Sequence, residues 1–409
     1  MEFRHTLLCI LTALCAFSCI KETNSAAVHI PLVEQITAQT INISENDNGN
    51  LNKEDLALFA QQLTGVRIIG LGEQTHGAGS IFKLKTQLIK YLHQNHNFDL
   101  LILESGMYDV QKIWQQAKLN KDIKSLAPDN IFYMYANSNE VTPLFKYVNE
   151  QINTKTPLTL VGFDSQHTGG YSNNSLVKDL TAAVAKSSNN LALDTQWEFF
   201  SENVQQVLNL STTRLTSTEE KLFWKQLTKV QQTFKNDGEG FWYRITRGLE
   251  AQAKRQWKIM DNRSEEMGEN IKWWAEQYPD KKIIVWAHTW HLTHEGNNQR
   301  NAGKVISETF GDAYYMVHFT GASGTYLDYI DLQNKSIKAP SKNSIENILY
   351  NHTATDISFV NTNNIVVENN NTEIFSNDYN QTIPLKNGDK YWDGFFFIKE
   401  IKPAIYQNQ

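Results

Sequence analysis

Histidines and carboxylates recur where short apolar segments of the sequence end. The four sets are Glu73 and His76 after residues 66–71, Glu104 after 99–103, Asp164 after 158–163, and His288 and His291 after 282–286. An imidazole with an ordinary pKa of about 6.5 is a suitable general base at neutral pH. A neighbouring carboxylate can fix its tautomer and stabilise the imidazolium. These residue types predict acid–base chemistry, such as hydrolysis by an activated water molecule.

Each of these residues also has a structural interpretation. Glu73 could cap the helix that follows it, Asp164 could fix a turn, and His291 could be a surface residue. His76 stands in a loop between Thr75 and Gly77, where a core-filling histidine is not expected. A carboxylate directly after an apolar strand, as at Glu104, is costly unless it is paired or solvated. The recurrence of such residues after four segments favours a functional site.

The apolar segments themselves predict the fold. They are rich in Val, Ile and Leu, and a fifth segment of this kind spans residues 313–319. Amphipathic stretches such as Ser80 to His96 lie between them and predict helices. Strands that alternate with helices indicate an α/β fold with a mainly parallel sheet flanked by helices. In such sheets ligands bind outside the carboxyl ends of the strands, so we expect the acids and histidines to converge there.

The length of 409 residues is compatible with two or three domains of about 150 residues, or with one interrupted α/β domain. We interpret residues 46–175 and 279–409 as the two parts of the α/β core. Between them, residues 176–278 are polar and helical in pattern, and this predicts a helical insertion or subdomain. The second part includes a C-terminal extension of mixed short strands. Residues 20–45 are expected to be a tether.

The three cysteines are confined to the amino-terminal leader, at Cys9, Cys15 and Cys19. Disulfides, thiolate metal sites and a cysteine nucleophile are therefore excluded from the rest of the chain. Residues 1–19 combine Arg4, an apolar run of about a dozen residues and small residues before a cysteine, which resembles a bacterial lipoprotein signal. We expect an exported protein, anchored in the cell envelope by a lipid on Cys19. Ordinary secretion is the alternative.

Composition limits the partners. Charged residues make up 20% of the chain, the net charge is -6, and no basic stripe is present. A nucleic-acid partner is therefore not expected, and membrane contact is expected only through the lipid anchor. No Gly-x-Ser-x-Gly motif occurs, so a serine hydrolase triad is unsupported. A small-molecule ester is the expected partner.

Several segments resemble the erythromycin esterase family over roughly residues 50–405. They are GEQTHGAGSIFKLKTQLIKYL (72–92), ILES (102–105), DNRSEEMGENIKWW (261–274), VWAHTWHLT (285–293), NSIENILYN (343–351) and DGFFFIKEIKPA (393–404). The resemblance implies metal-independent hydrolysis of an ester, which in the best-known members is the lactone of a macrolide. The joint occurrence of the Glu/His loop and the paired-His loop makes the resemblance specific.

The resemblance also implies roles for the catalytic residues. His76 would be the general base that activates water, and Glu73 would orient the water or His76. Glu104, His288 and His291 would shape the site and stabilise the developing oxyanion. No cofactor and no metal are implied.

Four residues are expected to bind the substrate: His291, Asp164, Arg263 and Lys85. Arg263 would reach the site from the helical segment, which we expect to form one wall of the cleft. Lys85 occupies a position where the family often has arginine. Lysine keeps the charge but loses the planar fork that contacts a carboxylate through two hydrogen bonds, which leaves the substrate open.

Two other functions use the same residues. A metal-dependent hydrolase could hold its ion with Glu73, His76, His288 and His291, with one position open for water. A haem-binding envelope lipoprotein could ligate iron through the paired histidines. A purely structural envelope protein is disfavoured, because it would leave the convergent acids and histidines without a role.

Overall fold

The segments rich in Val, Ile and Leu form the centre of the molecule, as seen in a computed structural model that describes residues 31–295, 299–367, 371–385 and 391–407. Within these ranges the strands are β1 Thr40–Ile43, β2 Ile68–Glu73, β3 Phe98–Gly106, β4 Thr159–Asp164, β5 Lys282–His288, β6 Tyr314–Leu327, β7 Asn334–Ser336, β8 Ile357–Asn361, β9 Glu373–Asn377, β10 Gln381–Pro384 and β11 Gly394–Ile401.

The main sheet has the strand order β1-β8-β11-β6-β2-β5-β3-β4, and β7 pairs with the end of β6. All neighbours from β11 to β4 run parallel, whereas β8 pairs antiparallel with both β11 and β1. Every residue of β2 and β4 is buried, as expected for parallel strands covered on both faces. The predicted α/β fold with a mainly parallel sheet is confirmed.

Helices cover both faces of the sheet. The described α-helices are α1 Leu32–Ala38, α2 Lys53–Gln61, α3 Gly79–His96, α4 Met107–Ala117, α5 Ile123–Leu126, α6 Tyr133–Ala136, α7 Thr142–Gln151, α8 Gly170–Lys186, α9 Trp197–Leu208, α10 Ser217–Asn236, α11 Gly240–Gln256, α12 Arg263–Gln277, α13 Thr289–Leu292, α14 Ala302–Phe310 and α15 Ile345–His352. None of them is both long enough and apolar enough to cross a membrane, within the residues described.

The segment between β4 and β5 contains helices and no strand in the structure, with α8 to α12 following one another. Residues from Leu32 onward form one compact unit, which includes these helices. The last of them, α12, is fastened to the sheet by two side chains. Trp274 Nε1 donates to the carbonyl of Gly162 at 2.9 Å, and Asn270 Nδ2 donates to that of Phe163 at 2.9 Å. The amino-terminal end of α12 is thereby held near the carboxyl end of β4.

Two parts of the sheet differ from the sequence interpretation. Residues 32–43, which we assigned to the tether, form α1 and the edge strand β1, because the buried side chains of Ile36 and Ile43 pack into the core. The carboxy-terminal strands β8 and β11 are members of the main sheet instead of an appendage to it. Both strands pair with partners far away in the sequence, which local patterns do not encode.

Candidate active site

The carboxyl ends of β2, β5, β3 and β4 lie side by side because these strands are neighbours in the sheet. The predicted acids and histidines follow these strands, and the structure brings them into one connected network. Arg263 joins the network as the first residue of α12. The network has two halves, one around Glu73 and one around Glu104.

Glu73 is the centre of the first half and has no exposed surface. Its Oε1 accepts hydrogen bonds from His76 Nδ1 at 3.2 Å and from the Tyr135 hydroxyl at 2.5 Å. Its Oε2 forms an ion pair with the Lys85 ammonium. Burial alone would raise the pKa of Glu73, but the positive charge of Lys85 and the hydrogen bond from His76 outweigh it, so the pKa is lowered. Glu73 is therefore an anion at neutral pH.

The second ring nitrogen of His76, Nε2, takes no part in the contact with Glu73. The side chain is 11% exposed, and no hydrogen-bond partner of Nε2 is found among the described residues. The rings of Phe132 and Tyr329 pack edge-on against the imidazole, with centroid separations of 4.7 and 5.1 Å. Burial would lower the pKa of His76, but the hydrogen bond to Glu73 and the charge of Glu104 prevail, so the pKa is raised.

Lys85 does not face the substrate side of the site. Its side chain has no exposed surface, and its ammonium also donates to the carbonyl of Leu71 at 2.7 Å. The ammonium lies over the rings of Trp286 and Phe319, 5.0 and 5.1 Å from their centroids. Burial lowers the pKa of Lys85 to about 8 although Glu73 acts to raise it. Because the residue is enclosed, our expectation of substrate contact is replaced by a role in holding Glu73.

Glu104 is the centre of the second half. Its Oε2 accepts a hydrogen bond from the main-chain nitrogen of His288 at 2.7 Å. Its Oε1 lies 3.3 Å from both His291 Nε2 and Arg263 Nη2. Burial would raise the pKa of Glu104, but the contacts with His291, His76 and Arg263 hold it well below its usual range. The carboxylate can accept but not donate hydrogen bonds, so it can orient neighbours and cannot itself stabilise an oxyanion.

Asp164 fixes Arg263 through two hydrogen bonds. Arg263 Nε and Nη2 donate to the two carboxylate oxygens at 3.0 and 2.7 Å. The carboxylates of Asp164 and Glu104 raise the pKa of Arg263 although burial acts against this. The guanidinium side chain is still 21% exposed, and Nη1 lies 3.4 Å from His291 Nε2. A positively charged hydrogen-bond donor is thus held at a partly exposed position in the network.

His288 is held in one tautomer by the main chain. Its Nε2 donates to the carbonyl of Gln74 at 2.8 Å, and its Nδ1 accepts from the nitrogen of Trp290 at 3.3 Å. Burial lowers the pKa of His288 to about 4. The neutral ring lies 5.2 Å from that of His76, between centroids. With both nitrogens engaged, His288 is suited to shaping the site rather than to transferring protons.

The structure adds residues that our reading of the sequence did not select. Tyr135 contacts Glu73, Gln74 orients His288, and the rings of Phe132 and Tyr329 line His76. The aromatic segment Phe132-Tyr-Met-Tyr135 was the only available signal in the sequence, and it is weak. These residues lie in loops and short helices whose placement depends on the completed sheet.

The metal and haem hypotheses require ligands that are free to coordinate. Within the described residues, no group of three or more His, Cys, Asp or Glu is arranged to hold a metal ion. Both ring nitrogens of His291 also have neighbours, Ser264 Oγ at 2.9 Å from Nδ1 and Glu104 Oε1 at 3.3 Å from Nε2. The arrangement fits a hydrogen-bonded acid–base site: an α/β protein whose strand ends present a histidine held by a carboxylate.

Comparison with known proteins agrees with this class. The sequence profile of the erythromycin esterase family matches residues 93–388, and the chain belongs to this family. The matched range contains Glu104, Asp164 and Arg263 as well as the paired histidines, whereas Glu73 and His76 precede it. The chain is 28% identical to YbfO of Bacillus subtilis (strain 168), whose name assigns it provisionally to the hydrolases. That similarity covers 88% of this chain and 89% of YbfO.

Solved structures share the fold. A succinoglycan biosynthesis protein superposes with a TM-score of 0.74 at 16% identity, covering 92% of this chain and 98% of that one. A Bacillus cereus protein gives a TM-score of 0.73 at 17% identity with the same coverage. A mutant of the erythromycin esterase EreC in its open conformation gives 0.66 at 14% identity, covering 88% of this chain and 97% of EreC.

Proposed function

We propose that the protein hydrolyses a carboxylic ester with a water molecule activated by His76. The observation that carries the proposal is the division of labour between the two ring nitrogens. Nδ1 is bound to the buried carboxylate of Glu73 at 3.2 Å, and Nε2 of this partly exposed side chain has no hydrogen-bond partner among the described residues. A histidine held in this way has the tautomer of a general base.

In the proposed reaction, His76 Nε2 takes a proton from water while the water oxygen bonds to the ester carbonyl carbon. The tetrahedral intermediate then breaks its bond to the alcohol oxygen, and the imidazolium returns the proton to that oxygen. Glu73 remains ionised throughout and stabilises the imidazolium. Lys85 and Tyr135 hold Glu73 in place.

Arg263 is the proposed donor to the oxyanion. Its side chain is 21% exposed and is positioned by Glu104 and Asp164. Hydrogen-bond donors that are already oriented where charge develops contribute strongly to such reactions. In this proposal Glu104, Asp164 and His288 orient other groups and do not contact the oxyanion.

A macrolide lactone is the first substrate that we propose to test. Membership of the erythromycin esterase family supports this choice. The aromatic rings of Phe132 and Tyr329 beside His76 suit an ester with a bulky apolar part, and Ile330, next to Tyr329, is 78% exposed. An ester of the cell envelope is the other substrate that an exported enzyme would meet.

We also propose that the protein is exported and anchored by a lipid on Cys19. The support is the leader sequence, with its apolar run and small residues before the cysteine. Cys19 and the rest of the leader lie outside the residues that the structure describes. Metabolic labelling with a fatty acid, compared with a Cys19→Ser variant, would test the anchor.

The reaction can be tested with erythromycin and a panel of simple esters, followed by mass spectrometry for the gain of one water. We expect turnover that His76→Ala reduces by about 100-fold or more, and no such loss for the exposed histidine variant His352→Ala. Turnover of simple esters alone would keep the mechanism and discard the macrolide. Absence of turnover on every ester, or activity that a chelator removes and metal restores, would overturn the proposal.

A further inference from the structure

A buried carboxylate next to the catalytic loops has no ion-pair partner in the part of the chain that the structure describes. Glu346, on α15, has no exposed surface, and burial raises its pKa to about 7. Its Oε1 accepts hydrogen bonds from the Thr320 hydroxyl at 2.7 Å and from the main-chain nitrogen of Phe375 at 2.9 Å. A buried carboxyl group is costly to retain, and the proposed reaction leaves Glu346 without a role.

The hydrogen bonds continue from Glu346 to the loop that carries Glu73 and His76. Gln74 Nε2 donates to the Thr320 hydroxyl oxygen at 2.7 Å and to the carbonyl of Phe375 at 3.1 Å. Because the amide donates to Thr320, the single hydroxyl proton of Thr320 is free to be donated to Glu346. Each hydrogen bond from Gln74 through Thr320 to Glu346 therefore has one donor and one acceptor.

The second catalytic loop is attached to the same point. His318 Nε2 donates to the carbonyl of Phe375 at 3.0 Å, and its Nδ1 accepts from the Thr289 hydroxyl at 2.8 Å. Thr289 directly follows His288. The His318 ring is stacked on Trp392, with centroids 4.6 Å apart and planes at 14°. Phe375 of β9 thus connects the loop after β2 with the loop after β5.

We infer that Thr320 and Glu346 are positioning residues for the catalytic loops. They hold the side-chain amide of Gln74, and this keeps the Gln74 carbonyl directed at His288 Nε2. Glu73 directly precedes Gln74, and His76 follows two residues later. The same contacts therefore keep the side chains of Glu73 and His76 within hydrogen-bonding distance of each other. The inference rests on the proposed function for its catalytic consequence, but the placement of the histidines can be measured without a substrate.

The test compares variants that remove or retain single hydrogen bonds. Thr320→Val removes the hydroxyl at nearly constant volume, whereas Thr320→Ser keeps it. Glu346→Gln keeps an acceptor oxygen for Thr320 and Phe375. Gln74→Met removes the amide and serves as a second disrupting variant if Thr320→Val does not fold. Thr233→Val is the matched control, because Thr233 is also buried and its hydroxyl accepts from Asn189 Nδ2 at 2.9 Å, in α10.

The first readout is NMR of ¹⁵N-labelled histidine, which reports the tautomer of His288 and the titration of His76. We expect Thr320→Val and Gln74→Met to abolish the single Nε2–H tautomer of His288 and to shift the His76 titration. Thr320→Ser and Glu346→Gln keep the hydrogen bonds and should therefore show the same two signals as the wild type. Thr233→Val should change thermal stability without changing either signal. Unchanged histidine signals in the folded disrupting variants would overturn the inference, whatever the enzyme hydrolyses.

The second readout is kinetic and applies to whichever ester is turned over. We expect Thr320→Val to lower kcat at least tenfold with KM within about twofold, because the loss affects the reacting groups and not the substrate-binding surface. An equal loss in Thr320→Ser would contradict the role of the hydroxyl. If wild-type protein turns over no ester, the proposed function fails, and the NMR result still decides the inference.

Discussion

Glu73 combines burial with three close donors, and this combination determines what His76 can do. A buried carboxylate without partners would become protonated. Here the charge of Lys85 and the hydrogen bond from His76 keep it ionised, and its pKa is lowered. Lysine supplies the required charge from a fully buried position, so a planar guanidinium is not needed for this purpose.

We predict that Glu73→Gln shifts the acidic limb of the pH–rate profile to lower pH and lowers the maximum rate. Glu73 raises the pKa of His76, and the unprotonated imidazole is the proposed base, so removal of the negative charge lets His76 lose its proton at lower pH. The maximal kcat/KM should fall by about 100-fold or more, since the imidazolium loses its stabilising anion and the glutamine can enforce the wrong tautomer. The profile of kcat/KM against pH measures both effects.

The double variant Glu73→Gln, Lys85→Met is the control for this prediction. The single change leaves the Lys85 ammonium buried without its anion, which can destabilise the fold by itself. If the double variant is folded and shows the same shift to lower pH, the effect belongs to His76. An unchanged or raised His76 pKa would contradict the role of Glu73.

At the scale of elements, the sequence predicted what repeats locally. The apolar segments located strands β2 to β6, and the amphipathic stretch located helix α3. The polar residues at the strand ends converge on one network. Local patterns did not predict that β8 and β11 complete the sheet, since their partners lie far away in the sequence. The enclosure of Lys85 and the contact from Tyr135 also depend on how completed elements pack. Residue types therefore predicted which side chains form the network, whereas their individual contacts depend on the packing.

We predict that Gly77→Ala destabilises the protein by about 3 kcal/mol. Gly77 follows His76, and its carbonyl accepts from Leu327 at the end of β6 (3.0 Å) and from Ala404 in the carboxy-terminal segment (2.9 Å). A Cβ at this position would lie 1.6 Å from the carbonyl oxygen of Leu327, so the backbone would have to move. Urea unfolding followed by circular dichroism measures the change.

Gly238 provides the comparison for this prediction. It lies in the turn before α11 with φ +74°, and a Cβ there would meet nothing within 4 Å. Gly238→Ala should therefore cost about 1 kcal/mol, from backbone conformation alone. A Gly77→Ala variant no less stable than Gly238→Ala would show that the loop after β2 adapts without disturbing β6.

At the scale of the whole molecule, buried titratable groups act on stability in opposite directions. Burial lowers the pKa of His167 and His288 to about 4 and that of His318 to about 3. Between pH 6.5 and 4 the unfolded chain therefore binds protons that the folded protein does not. The stability of the folded protein consequently decreases as the pH decreases. Burial raises the pKa of Asp109 to about 6 and that of Glu346 to about 7, so these acids add stability as the pH falls.

The contribution of a single histidine can be isolated at His167, which is 1% exposed. Its Nε2 donates to the carbonyl of Ile245 at 3.0 Å, and the amide of glutamine can make the same bond. We predict that His167→Gln flattens the loss of stability on acidification. The slope of unfolding free energy against pH should decrease by at most about 1.4 kcal/mol per pH unit between pH 6.5 and 4. The contributions of Asp109 and Glu346 are common to both proteins and cancel in the comparison.

Urea unfolding at pH 7, 6 and 5 measures this difference. The stabilities of wild type and His167→Gln should converge as the pH falls, because the wild type carries at residue 167 an additional neutral imidazole that the unfolded state would protonate. The same change at His352, exposed at the end of α15, controls for a general effect of replacing histidine. Parallel curves for wild type and His167→Gln would show that His167 takes up its proton within the folded protein, and its burial would then not contribute to acid sensitivity.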